Sequence, residues 1–141
     1  MLRVIITGKS GFVAQNLSSY FSTIPFSTTF ISLRNSKWKN NLSGDVIIHL
    51  AGKAHDLKNV RNASEYFEVN TYLTHKLFDF FIESEIKDFI YFSSVKAVAD
   101  QVSETLYEDV LAKPKTPYGQ SKLKAEEYIL SKQIPEGKRV F

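Results

Sequence analysis

Apolar positions along this chain alternate between short β-branched runs and longer stretches with helical spacing, the pattern that builds a parallel sheet covered by helices. Residues 2–7 (LRVIIT) form a compact apolar run that stops at Gly8, as a buried central strand would. Phe12, Val13, Leu17 and Tyr20 then recur at helical spacing, predicting a first helix over residues 12–21. Residues 28–33 (TTFISL) and 45–51 (DVIIHLA) read as the second and third strands. Only residues 34–44 lie between them, too few for a full helix plus another strand, so a loop or single turn is expected. A long helix is predicted over residues 63–85, with Phe67, Leu73, Leu77, Phe78, Phe81 and Ile82 on its apolar face. Residues 88–93 (DFIYFS) give a fourth strand. Thr116 and Pro117 supply a capping hydroxyl and a ring that needs no amide hydrogen, so a last helix should start there and run to about residue 131. Pro135 and Gly137 break the pattern, and residues 138–141 (KRVF) open another strand.

Composition narrows the class without changing this architecture. With 141 residues, 43% hydrophobic and 23% charged, the chain is expected to be one globular domain rather than a disordered or fibrous sequence. A net charge of +3 suits an anionic small ligand. No basic stripe is present to follow a nucleic-acid backbone, and aromatics such as Phe78, Phe81 and Tyr91 are better placed in a core, so nucleic acid is not an expected partner. There is no cysteine, hence no disulfide framework or thiolate metal site. His49, His55 and His75 lack zinc-site spacing and are expected to be structural, with no metal required. No apolar run approaches the roughly 20 residues of a membrane span and no leader pattern precedes residue 2, so a cytoplasmic protein without membrane contact is expected.

Four places carry candidate chemistry. Residues 7–12 (TGKSGF) join the first strand to the first helix, where glycines let backbone amides approach a phosphate; an ordinary strand-to-helix turn would look similar. The order of residues differs from a P-loop, because Phe12 and Val13 follow the second glycine where that motif has Lys and Ser or Thr. Arg34 is expected directly after the second strand, where an acid would read a ribose 2′-hydroxyl and an arginine a 2′-phosphate, so NADP is favoured over NAD. Tyr118 and Lys122 stand four apart, on one helix face, and a cation beside a phenol favours the phenolate that can exchange a proton near neutral pH. The same spacing also occurs on solvated helix faces. Ser93 and Ser94 are placed at the end of the fourth strand, on the carboxyl edge where open α/β sheets bind ligands.

TGKSGF at 7–12, DVIIHLAG at 45–52, Asn70 in the long helix, FSS at 92–94 and YGQSK at 118–122 occur in an order that resembles the extended short-chain dehydrogenase/reductases. The resemblance is to their NAD(P)-dependent sugar-nucleotide epimerase, dehydratase and reductase group. It implies a Rossmann-type doubly wound parallel sheet with helices on both faces, and an oxidoreductase or epimerase moving hydride at a sugar carbon. Tyr118 would be the acid/base, Lys122 would favour its phenolate and hold the nicotinamide ribose, and Ser94 would align the substrate oxygen. Thr7, Gly8, Gly11, Phe12 and Val13 would line the pyrophosphate turn, Arg34 the adenosine ribose, and Leu50, Ala51 and Gly52 the cofactor edge, with Asn70 supporting the site. Implied partners are a nucleotide-sugar, UDP-linked, and a second copy of the chain in a homodimer.

Departures from the family pattern qualify this reading. Ala14 stands where the third glycine is usual, and the short 34–44 segment is similar to a branch of reductases of 4-keto-deoxyhexose nucleotides used in polysaccharide synthesis. Family members continue beyond the equivalent of Phe141 into a C-terminal lobe that grips the nucleotide-sugar. Residues 1–141 are thus expected to be an incomplete NAD(P)-binding domain, with weak or no turnover by itself. The alternative is a non-catalytic NAD(P)-binding or regulatory module. The enzymatic reading requires the 7–12 turn and the Tyr118/Lys122 pair to serve one dinucleotide at the carboxyl rim of the sheet.

Overall fold

The computed structural model describes residues 1–34, 36–54 and 62–141. His55 lies outside the described residues. Five parallel strands form one sheet in the order β2-β1-β3-β4-β5: β1 (Leu2–Thr7), β2 (Phe26–Ile31), β3 (Val46–His49), β4 (Asp88–Tyr91) and β5 (Arg139–Val140). The helices are α1 (Phe12–Phe21), α2 (Ala63–Tyr66), α3 (Leu73–Glu83) and α4 (Pro117–Ser131), with a π turn over Phe67–Tyr72 and 3₁₀ turns over Ser36–Asn41 and Val95–Ala97. The chain divides into two compact units. Met1–Ala51, Lys76–Phe92 and Gln133–Phe141 form the first, and Gly52–His75 with Ser93–Lys132 the second. No helix among the described residues is long and apolar enough to cross a membrane.

The first unit is a sheet with a helix on each face. Val4, Ile6, Val46 and Ile48 point to one side, where Ala14, Leu17 and Phe21 of α1 close over them. Ile5, Ile47 and Phe89 are buried on the other side, where Phe78 and Phe81 of α3 pack edge-on or tilted against Phe89 with ring centroids 5.0 and 5.3 Å away. The alternation of strand side chains therefore serves both layers, which is why the strands read as continuous apolar runs. Trp38, in the 3₁₀ turn, sets its ring edge against Phe80 at 5.5 Å, so that turn is anchored to α3.

Strand ends differ from the predicted ranges for identifiable reasons. β2 starts and stops two residues early, because Phe26 packs on Phe21 at 5.4 Å and pairs with Leu2, while Ser32 and Leu33 already turn away. β3 stops at His49 because the next two amides, Leu50 and Ala51, donate to the Thr7 hydroxyl rather than to a neighbouring strand. β4 ends at Tyr91, so Ser93 and Ser94 lie beyond it. At the end of α3 and in the turn after it, Lys138 Nζ donates to the carbonyls of Phe81 (2.9 Å), Ser84 (2.6 Å) and Ile86 (2.6 Å).

In the second unit the long predicted helix contains a defect that its apolar pattern does not disclose. Leu73 N bonds back to Glu68 O, five residues earlier, and the widened turn is braced by the Thr74 hydroxyl donating to Asn70 O at 2.7 Å. α4 follows the predicted bounds. The Thr116 hydroxyl accepts from Gly119 N at 3.2 Å and Pro117 occupies the first helical position.

Candidate active site

In the first unit, β1 and β3 are adjacent, and from this pair the chain winds outward in opposite directions. This is the switch point at whose carboxyl end open α/β sheets bind ligands. Gly8 sits there with φ +80°, and a Cβ on it would lie 2.8 Å from Ala51 N and 2.9 Å from Leu50 C. Only glycine fits both the conformation and the close approach. Gly11 N donates to Gly8 O at 2.9 Å, closing the turn, and Gly11 precedes α1 without a side-chain cap. The helix geometry leaves the first-turn amides of Phe12, Val13 and Ala14 without intrahelical acceptors, directed to where an anion would be held. Phe12 is 82% exposed and Ala14 fully buried under the core, so alanine takes the third-glycine place with no loss of packing.

Thr7 fixes the two lips of this turn. Its hydroxyl accepts from Leu50 N (3.0 Å) and Ala51 N (2.9 Å) and lies 2.7 Å from His49 Nδ1. A hydroxyl has two lone pairs and one proton, so that proton must go to Nδ1 and the ring carries its own hydrogen on Nε2. His49 is fully buried and stacks on Tyr91 at 5.7 Å. Arg34 is exposed and stands three residues past the observed end of β2, not directly at it; its amide donates to Ser32 Oγ at 3.4 Å.

The second unit assembles Gly52, Asn70, Ser94, Tyr118 and Lys122. Asn70, on the π turn, accepts from Lys53 N at 2.7 Å and donates to Lys53 O at 3.0 Å and Ser121 Oγ at 2.9 Å. Gly52 leaves room for that amide, since a Cβ would lie 3.2 Å from Asn70 Oδ1. Ser121 Oγ in turn donates to Tyr118 O at 2.7 Å, and the Thr71 hydroxyl donates to Ser121 O at 2.8 Å. The π turn thus grips α4 between Tyr118 and Lys122. Sequence reading gave Ser121 and Thr71 no role, although Ser121 stands inside the YGQSK motif.

Tyr118 is half-buried, its ring edge-on to Tyr66 at 6.4 Å. Lys122 is only 6% exposed. Burial pushes its pKa down to about 8, against a pull upward from Glu126 one turn further on. Glu126 accepts a hydrogen bond from the Ser93 hydroxyl. Ser94 accepts from Lys96 N at 3.2 Å at the head of the Val95–Ala97 turn, which leaves its own proton to be donated elsewhere. A separate depression of about 490 Å³, lined by Ser64, Glu65, Phe67, Glu68, Tyr72 and Lys124, includes none of these residues.

The parallel sheet and its glycine turn at the switch point define a Rossmann-type nucleotide-binding α/β domain. The chain belongs to the NAD dependent epimerase/dehydratase family, which it matches over residues 4–133. It is 28% identical to GDP-6-deoxy-D-mannose reductase of Pseudomonas aeruginosa over 99% of this chain and 50% of the reductase. It is 34% identical to mouse dTDP-D-glucose 4,6-dehydratase over 62% of this chain and 24% of that enzyme. The structure of RMD from Pseudomonas aeruginosa complexed with NADPH superposes with TM-score 0.78 at 27% identity, over 99% of this chain and 52% of that one. MoeE5 in complex with UDP-glucose and NAD shares the fold at TM-score 0.83 and 21% identity, over 98% of this chain and 51% of that one. The chain spans about half the length of the reductase it matches.

Proposed function

We propose that this chain is the nucleotide-binding part of an NAD(P)-dependent oxidoreductase or epimerase of nucleotide-sugars, with Tyr118 as its acid/base. The observation that supports this most is the burial of Lys122 one turn after Tyr118. A lysine serving only solubility would sit in water, whereas burying an ammonium costs free energy, and such burial is concentrated at functional sites. That burial also weighs against a non-catalytic module. With its pKa near 8 the ammonium remains largely charged at neutral pH.

The glycine turn suits a dinucleotide pyrophosphate, because a side chain at Gly8 is excluded and backbone donors of α1 face outward. Thr7, Gly8, Gly11, Phe12 and Val13 would hold that group, Leu50, Ala51 and Gly52 its neighbouring edge, and Lys122 the nicotinamide ribose. The cofactor, when bound, supplies or accepts the hydride. Tyr118 then gives its proton to a sugar keto oxygen in reduction, or takes one from the alcohol in oxidation, while Ser94 hydrogen-bonds the same oxygen. Asn70 keeps the Lys53 backbone and Ser121 in place and makes no contact with the reacting atoms in this assignment. Arg34, near the end of β2, favours NADP through a 2′-phosphate, and a UDP-linked sugar is the proposed substrate.

The open reading frame carrying this chain, expressed and assayed for NADPH oxidation with UDP-4-keto sugars, tests the reading. Activity that falls about 10²-fold or more in Tyr118→Phe supports it; equal rates in both proteins would sink it.

A further inference from the structure

The segment that returns the chain to α4 is unusual in lacking helix or strand. Residues 101–115 form an excursion that exposes Val102, Tyr107, Val110 and Leu111, so little of its own side-chain burial fixes where it comes back. Its two ends are nevertheless tied at one carboxylate. Asp100 Oδ2 accepts from Lys115 N at 2.5 Å and Thr116 N at 3.2 Å, and Oδ1 accepts from the Thr116 hydroxyl at 2.6 Å. Lys96 Nζ binds the Asp100 carbonyl, and Lys113 N donates to Val98 O at 2.8 Å, so the excursion closes onto residues 96–100.

The consequence reaches Tyr118 through the placement of one proton. An ionised aspartate only accepts, so the Thr116 hydroxyl must give its proton to Asp100, and its lone pair is thereby aimed at Gly119 N, which it caps at 3.2 Å. On the other flank Gly119 is pressed against residue 96: a Cβ there would lie 2.3 Å from Lys96 O. Tyr118 is therefore held between a capped Thr116 and a Gly119 packed on backbone, both fixed to residues 96–100, the stretch that follows Ser94. Negative charge next to the first turn of α4 also complements the helix dipole.

We propose that Asp100 is a positioning residue for Tyr118: its carboxylate, fastened to the entry of α4, sets the helical turn that presents the phenol. This rests on the catalytic reading of Tyr118. The Thr116 hydroxyl first, and the Lys115 and Thr116 amides with it, hold the Asp100 carboxyl below the usual carboxylate range, so the clamp is ionised at neutral pH.

Amide hydrogen exchange on the chain itself, with Asp100→Asn, Thr116→Ser and Thr116→Val, reads the clamp directly. Exchange at Tyr118 and Gly119 should accelerate tenfold or more in Asp100→Asn and Thr116→Val, stay near wild type in Thr116→Ser, and remain unchanged at Leu77. In the NADPH-oxidation assay, Asp100→Asn should lower kcat at least tenfold with KM for NADPH altered less than twofold. Unchanged exchange at Gly119, or faster exchange with full kcat, overturns the proposal. If Asp100→Asn does not fold, Thr116→Val supplies the same two readouts, and the same results support or overturn the clamp. Wild-type turnover by Tyr118→Phe would instead remove the catalytic reading, while the exchange data still decide whether Asp100 holds the turn.

Discussion

Two residues, Gly8 and Lys122, each have a measurable signature. Gly8 combines φ +80° with backbone contacts under 3 Å for any added carbon. Gly8→Ala should cost about 2 kcal/mol or more, from left-handed strain plus the clash with Ala51, and should abolish dinucleotide binding; urea unfolding and a fluorescence titration with NADPH measure the two effects. Lys122 makes a prediction in pH. Its folded pKa of about 8 lies below the ordinary 10.5, so between those values the unfolded chain binds more protons and stability rises with pH. The burial penalty is fully present below about pH 8 and is relieved as pH climbs toward 10.5. The difference in unfolding free energy between pH 7.5 and 10, wild type minus Lys122→Met, should increase by roughly 2–3 kcal/mol on the basis of about 1.4 kcal/mol for each pKa unit. A flat difference would place Lys122 in water.

Helices and strands were legible where the signal is local, and displaced where a distant partner decides. The cap and proline that start α4 lie within three residues of each other, so its bounds are visible in the sequence. The π turn is not, because one extra residue in a helix leaves the apolar spacing nearly intact while moving Asn70 to meet Lys53 and Ser121. Tyr118 and Lys122 announce themselves by spacing; Asp100 does not, since its donors are 15 and 16 residues away across an irregular loop. The third strand stops short of prediction because the Leu50 and Ala51 amides bond to the Thr7 side chain in place of the ladder. At the element scale, Lys138 is the clearest test. Replacing it by Met takes a donor from the Ser84 and Ile86 carbonyls, while the Phe81 carbonyl keeps the Ser84 amide and hydroxyl, an expected loss of about 1–3 kcal/mol by thermal or urea unfolding. No change would mean that water replaces it freely.

For the whole molecule, the strand order puts the glycine turn at the carboxyl end of the switch point. With a 3₁₀ turn at Ser36–Asn41 between β2 and β3, β2 is the sheet edge and β1 with β3 forms the switch point, so the glycine turn is complete within the first unit. Binding should therefore be observable even where turnover is weak. NADPH at about a hundred times its Kd should stabilise the chain by roughly 2.7 kcal/mol. Arg34→Ala should reduce that gain at fixed NADPH concentration and leave the NADH effect unchanged, as read by thermal shift; loss of both would assign Arg34 to something other than the 2′-phosphate. The Thr7 hydroxyl, meanwhile, couples two strands through a rule of substitution. Position 49 must bring an acceptor, because position 7 has one hydrogen to give and no vacancy to receive another. A buried amide oxygen could stand in for the imidazole, whereas a hydrocarbon of equal volume would strand that hydrogen, and a cationic side chain would set donor against donor beneath the nucleotide turn.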